Sequence, residues 1–240
     1  MKAVIIAGGQ GKRLLPYTKD IPKCLVKVND KAILDYQLEA LDFCNIKDIA
    51  IVTGFGDKFV REHLKAKGIK ITVIENKNYQ NTNNAYGIWL ARDYALDSPD
   101  GFLLINSDLI FPPTMLKFLI EHSEKDAIII EPTTEQSSDM VKVKMEGDNI
   151  VAMSKEIPPQ ETAAEAVGPV KFSHDGGQAF MDFIGSFIAK GELNHWFFYM
   201  LGDFARQRWL AGIKNPGFVW TEIDTPEDLK QAEQIVKRLK

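Results

Sequence analysis

The sequence predicts an α/β fold on a doubly wound, mostly parallel sheet, with a small mixed β insert in its second half. Three observations carry this expectation. Short runs of Ile, Val and Leu alternate with segments whose apolar residues recur three and four apart, a glycine-rich turn ends the first run, and the alternation breaks after Glu131. Repeated strand–helix–strand order gives parallel neighbours joined by right-handed crossovers.

The elements follow in order. AVIIA (3–7), DIAIVTG (48–54), KITVIE (70–75), GFLLIN (101–106) and DAIIIE (126–131) read as strands. They are short and apolar throughout, as strands covered on both faces must be. Between them, 33–43, 59–67, 84–96 and 114–122 have helical spacing. VKVKM (141–145) then alternates, and NIVAMSK (149–155) follows a Gly147-Asp148 turn, so the pair reads as a hairpin. A polar stretch (157–165) precedes a strand at 166–172, helices at about 176–190 and 194–211, and a last strand at 218–223. The final helix is well signalled: Thr225 as N-cap, Pro226 at the first helical position and the acids Glu227 and Asp228 in the first turn. Leu229, Ala232, Ile235 and Leu239 would line its buried face. The expectation is one domain over 1–240, with the insert at about 132–175.

A chain of 240 residues with 29 basic and 33 acidic side chains carries a net charge of −4. That balance argues against a duplex-coating nucleic-acid binder. No apolar run approaches a membrane span, and Ala3 to Ala7 is too short for a signal peptide. Cys24 and Cys44 fit neither a CxxC pair nor a zinc pattern, so they read as reduced thiols of a cytoplasmic protein.

The first strand runs into Gly8-Gly9-Gln10-Gly11-Lys12-Arg13-Leu14. A P-loop is excluded, because Arg13 stands where its Ser or Thr belongs; a dinucleotide fingerprint is excluded because Leu14 replaces its third glycine. What remains is a glycine turn at the carboxyl end of a parallel strand, where open α/β sheets bind ligands. Without Cβ atoms its N–H groups can approach phosphate oxygens, and Arg13 adds a phosphate-matching fork. A tight turn with solvated Lys12 and Arg13 is the plainer alternative.

The loop continues as Leu14-Leu15-Pro16-Tyr17-Thr18 and Ile21-Pro22-Lys23-Cys24-Leu25. From Gly8 to Leu25 it meets every fixed position of GGxGxRLxPxTxxxPKxL and so resembles the sugar-phosphate nucleotidyltransferase superfamily, whose members have a Rossmann-like fold. Lys12 departs from the usual Thr or Ser. The resemblance implies that Ala7, Gly8, Gly9, Gly11, Lys12 and Arg13, with Asn83, Asn84 and Ser107, hold the nucleotide, and that Arg13 and Lys23 act at the reacting phosphates. Asn106-Ser107-Asp108-Leu109-Ile110-Phe111 resembles the strand end whose Asp binds Mg²⁺, and Glu222-Ile223-Asp224-Thr225-Pro226-Glu227-Asp228-Leu229 resembles the element supplying the second metal carboxylate. Each Asp could instead cap a helix. Few carboxylates plus phosphate oxygens suit Mg²⁺.

Lys155 resembles the superfamily's acceptor-phosphate lysine, and Glu165 and Gly168 lie where relatives line the acceptor pocket. On this reading 1–131 binds nucleotide, 132–175 faces the acceptor, and 176–240 carries the second metal ligand. The NN-x-Y element at 83–86 is similar to the phosphocholine cytidylyltransferase-like branch. It implies CMP transfer from CTP to a small phospho-alcohol, phosphonate or inositol phosphate, with release of pyrophosphate. The run Trp196-Phe197-Phe198-Tyr199 reads as core packing more than as a cation cage. Three rivals stay in view. A sugar-1-phosphate uridylyl- or thymidylyltransferase and a non-catalytic nucleotide-binding subunit remain open; a glycosyltransferase would want an acid two residues from Asp108, where Asn106 and Ile110 stand. The oligomeric state is left open.

Overall fold

The computed structural model describes residues 1–133 and 137–239. Their main sheet has nine strands: β1 (Lys2–Ala7), β2 (Ile49–Thr53), β3 (Thr72–Glu75), β4 (Phe102–Asn106), β5 (Ala127–Glu131), β6 (Lys142–Glu146), β7 (Asn149–Ser154), β8 (Ala164–Phe172) and β9 (Ala211–Lys214), in the order β3-β2-β1-β4-β8-β5-β9-β7-β6. β1 pairs in parallel with both β2 and β4, and β5 with β9. The sheet is mixed because β8 runs antiparallel between β4 and β5. The hairpin β6–β7 forms as expected and closes the far edge.

β1 shows why these strands are apolar throughout. Val4 and Ile6 pack on one face with Val52, Leu104 and an aromatic group that includes Phe172, Phe180, Phe197 and Phe204. Ala3, Ile5 and Ala7 pack on the other with Leu34, Leu41, Met115 and Leu116. Alternate side chains point to opposite faces, so a strand covered twice has no polar face.

The helices are α1 (Ile33–Phe43), α2 (Asp57–Ala66), α3 (Asn84–Leu90), α4 (Arg92–Leu96), α5 (Pro113–Glu121), α6 (His174–Ile188), α7 (Phe197–Ala205) and α8 (Pro226–Ile235). The single helix expected over 84–96 is thus two, broken at Ala91. The helix expected to reach 211 ends at Ala205, and the unexpected strand β9 follows. Ala211-Gly212-Ile213-Lys214 is too short to declare itself; pairing with β5 makes it a strand. The expected strand at 218–223 is cut to Thr221–Glu222, which pairs with Leu109–Ile110 as a separate two-residue ribbon. On α8, Val236 and Leu239 join the buried cluster and Ile235 does not, because the last turn tightens to 3₁₀ at Val236–Arg238 and shifts the face. Among the described residues no helix is long and apolar enough to cross a membrane.

A third cluster matters most for the site. Leu14, Val26 and Val28 from the glycine-loop region pack with Ile110, Ile223, Leu229 and Ala232. This small core joins the signature loop, the ribbon and α8. Buried nearby, Cys24 has its thiol pushed up to about 12 by burial. Cys24 is therefore expected to resist alkylation at pH 8 in the native protein; titration should find at most one reactive thiol, and two after denaturation.

Candidate active site

Parallel register sets the first half of the site. Ile6 on β1 lies beside Asn106 on β4, so the glycine loop and Ser107-Asp108 emerge at the same sheet edge. The Ser107 N–H donates to Ile6 O at 3.2 Å. Gln37 of α1, buried, donates from Nε2 to Asn106 O at 2.8 Å and Leu109 O at 2.9 Å, clamping the turn that carries Asp108. Gly11 adopts φ 66°, and a Cβ there would stand 3.1 Å from Lys23 Cβ and 3.2 Å from Thr18 Cγ2. Glycine is needed for the turn and for the close pass of the Lys23 segment.

The ribbon brings the second half. Glu222 pairs with Leu109, and the Ile223 N–H donates to Asp108 O at 3.0 Å, so residues more than a hundred apart in sequence adjoin. Asp224 is held by the capping box of α8: Asp228 Oδ2 accepts from Asp224 N at 3.0 Å and Thr225 N at 2.8 Å, while Thr225 Oγ1 accepts from Asp228 N.

Lys23 ties the halves together. Its Nζ donates to Asp108 Oδ2 at 2.9 Å and to Asp224 Oδ1, and Arg13 Nη2 donates to Asp224 Oδ2 at 2.6 Å. Burial alone would lower the Lys23 pKa, but the charges of Asp108 and Asp224 outweigh it, so the ammonium stays charged well above its ordinary range. Burial likewise raises Asp224, and the Lys23 charge and hydrogen bond overcome that and hold it below the usual carboxylate range. Glu222 reaches the cavity surface, yet the packed surroundings and the charges of Asp108 and Asp224 push it up to about 8.

Carboxylate oxygens of Asp108, Glu222 and Asp224 lie within 4.8 Å of one another. Asp108 Oδ1 is buried with no hydrogen-bond partner. A hard oxygen set with one oxygen left over fits a divalent cation such as Mg²⁺, which takes few protein ligands and keeps several waters. Lys23 alone satisfies only the other Asp108 oxygen.

These groups face a cavity of about 880 Å³. Gly8, Gly9, Gly11, Lys12, Arg13, Lys23, Asn83, Asn84, Ser107, Asp108 and Asp224 all line it, as do Asn76, Tyr79 and Thr82. Ala7 is buried on β1 and does not. Lys155 is outside the lining too, with its Nζ 3.6 Å from Asp139 Oδ1 and 5.4 Å from the centroid of Trp196, which does line the cavity. Glu165 and Gly168 lie outside the lining. Glu165 is opposite Glu131 in the sheet, and burial and that neighbouring charge raise its pKa. Gly168 has φ 135°, and a Cβ there would meet Leu109 Cδ1 at 2.2 Å. Its absent side chain makes room for the residue after Asp108. Gly168→Ala should accordingly cost about 1–3 kcal/mol and lower the melting temperature by about 2–4 °C per kcal/mol, read by thermal unfolding.

The site also contains Glu222, Gln37, Trp196 and Phe198, to which the sequence reading gives no role there. Glu222 has a signal: two residues before Asp224 on an extended segment, it points to the same side. The aromatic run is split. Phe197 and Phe198 are buried, as core packing requires, but Trp196 and Phe198 also line the cavity.

The model of the family described as nucleotidyl transferase matches residues 2–234. The CTP:phosphoglutamine cytidylyltransferase of Campylobacter jejuni is 29% identical over 187 residues, 72% of this chain and 74% of that protein. The mannose-1-phosphate guanylyltransferase catalytic subunit beta of Danio rerio is 35% identical over 156 residues, 62% of this chain and 42% of that protein. In fold, the inositol-1-phosphate CTP transferase of T. maritima aligns with a TM-score of 0.84 at 22% identity, over 99% of this chain and 95% of that one. The family match runs through every segment that builds the cavity, from the glycine loop to α8. The chain therefore belongs to the nucleotidyl transferase family, enzymes of the sugar-phosphate nucleotidyltransferase superfamily, and transfers a nucleotidyl group from an NTP to a phosphorylated small molecule.

Proposed function

We propose that the chain is a cytidylyltransferase that moves CMP from CTP to a small phosphorylated acceptor other than a sugar and releases pyrophosphate. The observation that carries the chemistry is the meeting of Arg13, Lys23, Asp108 and Asp224 at the carboxyl ends of β1 and β4. The choice of CTP is supported by the Asn-rich segment 76–84 along the cavity and by the likeness to a CTP-using relative.

An acceptor phosphate oxygen attacks the α-phosphorus of CTP, and the bond to the bridging oxygen breaks as pyrophosphate leaves. The glycine-loop N–H groups at Gly8, Gly9 and Gly11, with Lys12 and Ser107, hold the triphosphate. Asn83 and Asn84 face the nucleoside. Arg13 and Lys23 neutralise the two anions as they approach. Mg²⁺, held by Asp108 and Asp224 with Glu222 beside them, supplies Lewis-acid charge neutralisation when bound. No general base is required, because a phosphate monoester with a second pKa of about 6 is already ionised at pH 7.

Lys155 and Arg13 receive the acceptor phosphate. Asp139 Oδ1 lies 3.6 Å from Lys155 Nζ and 3.7 Å from Arg13 Nη1, so the two cations already bracket an anion. Residues 1–131 serve the nucleotide and the β6–β7 hairpin with the strand after it serves the acceptor side, through Lys155 directly and Glu165 and Gly168 from behind. Free thiols and a nucleotide donor support a cytoplasmic location.

The test is pyrophosphate release with Mg²⁺, crossing CTP, UTP, dTTP, GTP and ATP with phosphocholine, phosphoethanolamine, phosphoglutamine, 2-aminoethylphosphonate, inositol phosphate and hexose 1-phosphates. Turnover with CTP and one non-sugar acceptor is expected. Turnover confined to a hexose 1-phosphate with GTP, UTP or dTTP would replace this reading with a sugar-nucleotide one, which the mannose-1-phosphate guanylyltransferase likeness favours.

A further inference from the structure

The N-termini of α3 and α7 meet at the cavity, and each caps the other. The Asn83 and Ala85 N–H groups donate to Leu193 O at 3.2 Å and His195 O at 3.4 Å. In return Asn84 Oδ1 accepts from the Phe197 N–H at 2.7 Å, across 113 residues of sequence. Phe197 opens α7, and the residue before it, Trp196, makes no side-chain capping bond. First-turn N–H groups have no partner inside their own helix, so an acceptor delivered there fixes where the helix begins. Only the carbonyl oxygen of an amide side chain can accept this bond, so the orientation of Asn84 is set and its NH₂ makes no part of the cap.

The anchored Phe197 N–H stands in sequence between the two aromatic residues of this segment that line the cavity, Trp196 and Phe198. The Trp196 ring stands edge-on to Phe198 at 5.4 Å and to Tyr199 at 4.9 Å, and Lys155 Nζ rests over it. Contacts thus run from the Asn84 carbonyl to the Phe197 N–H, the Trp196 ring and the Lys155 ammonium. We infer that Asn84 is a positioning residue for the acceptor half of the site, its carbonyl oxygen setting the Trp196–Phe198 wall and, through Trp196, Lys155. This rests on the proposed placing of the acceptor beside Lys155. It separates the two ends of one side chain: the NH₂ serves the nucleotide, and the oxygen serves the acceptor.

The test uses the full chain with Asn84→Ala and Asn84→Asp. Hydrogen exchange over residues 194–200 needs no substrate; the acceptor KM at saturating NTP and a directly measured NTP Kd use whichever pair the wild type turns over best. Asn84→Ala should speed exchange at the Phe197 amide about tenfold. It should also raise the acceptor KM about tenfold, as misplacement of a positioning group does, and raise the NTP Kd as well, because the NH₂ is lost with the oxygen. Asn84→Asp keeps the oxygen acceptor and lacks only the NH₂, so it should restore protection and acceptor KM while the NTP Kd stays raised. The inference is overturned by unchanged exchange in Asn84→Ala, by a rise in NTP Kd with no change in acceptor KM, or by failure of Asn84→Asp to rescue. If Asn84→Ala does not fold, Trp196→Ala must raise the acceptor KM and spare the NTP Kd; an unchanged acceptor KM overturns the inference. A wild type inactive on every pair would sink the functional reading, while the exchange comparison would still decide the Asn84–Phe197 coupling.

Discussion

Asp108→Ala should lower turnover by about three orders of magnitude, with the folded state retained. The carboxylate offers one oxygen to Lys23 and leaves the other buried and unpartnered, so it is the most exacting member of the cluster. On the proposed mechanism this removes a metal ligand beside the reacting phosphates and with it several kcal/mol of transition-state stabilisation, and each ~1.4 kcal/mol is a factor of ten in rate. Stability should change little, because Lys23 keeps Asp224 and the turn is held by Gln37 and by the Ser107–Ile6 bond. Single-turnover pyrophosphate release and thermal unfolding check both halves. Near-normal turnover would remove Asp108 from the reaction.

Lys23→Ala tests the other side of the same contacts and should show two effects. Loss of a positioned cation at the reacting phosphates is expected to cost about 10²–10³ in turnover, the scale seen when one preorganised donor is removed. The second effect is thermodynamic. Without the ammonium, Arg13 alone still pairs with Asp224, Asp108 loses its only cation partner with the Glu222 carboxyl group close by, and the crowding of these oxygens within 4.8 Å destabilises the Mg²⁺-free protein. A divalent cation should then stabilise the variant more than the wild type. Calorimetry of both proteins with and without Mg²⁺ reads this directly; an equal Mg²⁺ shift in the two would show that Lys23 and the cation do not share one set of oxygens.

Much of this site is legible in short stretches of the chain. The strands β1 and β4 and the glycine loop declare themselves locally, through apolar runs and a glycine that must take positive φ. The N-cap of α8 is equally local, and the structure adds that the same capping box holds the backbone of Asp224. Asn83 caps α3, its side-chain oxygen accepting from Asn84 N at 2.8 Å.

Other features have no local signal. Nothing in Ala164–Phe172 says that it will slip between β4 and β5 and turn a parallel sheet into a mixed one. Gly168 resembles a pocket residue, but the structure puts its bare Cα against Leu109. The aromatic run 196–199 can be assigned to the core, yet only the docking of α7 onto α3 turns Trp196 and Phe198 to the cavity.

The family, the identity of the charged groups and the turns that present them are thus written into the chain locally, because capping, glycine φ and strand periodicity act over a few residues. Packing alone brings Glu222 and Asp224 to Asp108, sets Gln37 against the Asp108 turn and lets Asn84 cap α7. Each of those contacts depends on segments about 70 to 115 residues apart meeting in one register, and that register is set by how two faces of a sheet are covered, a property of the packed whole that no short window of sequence contains.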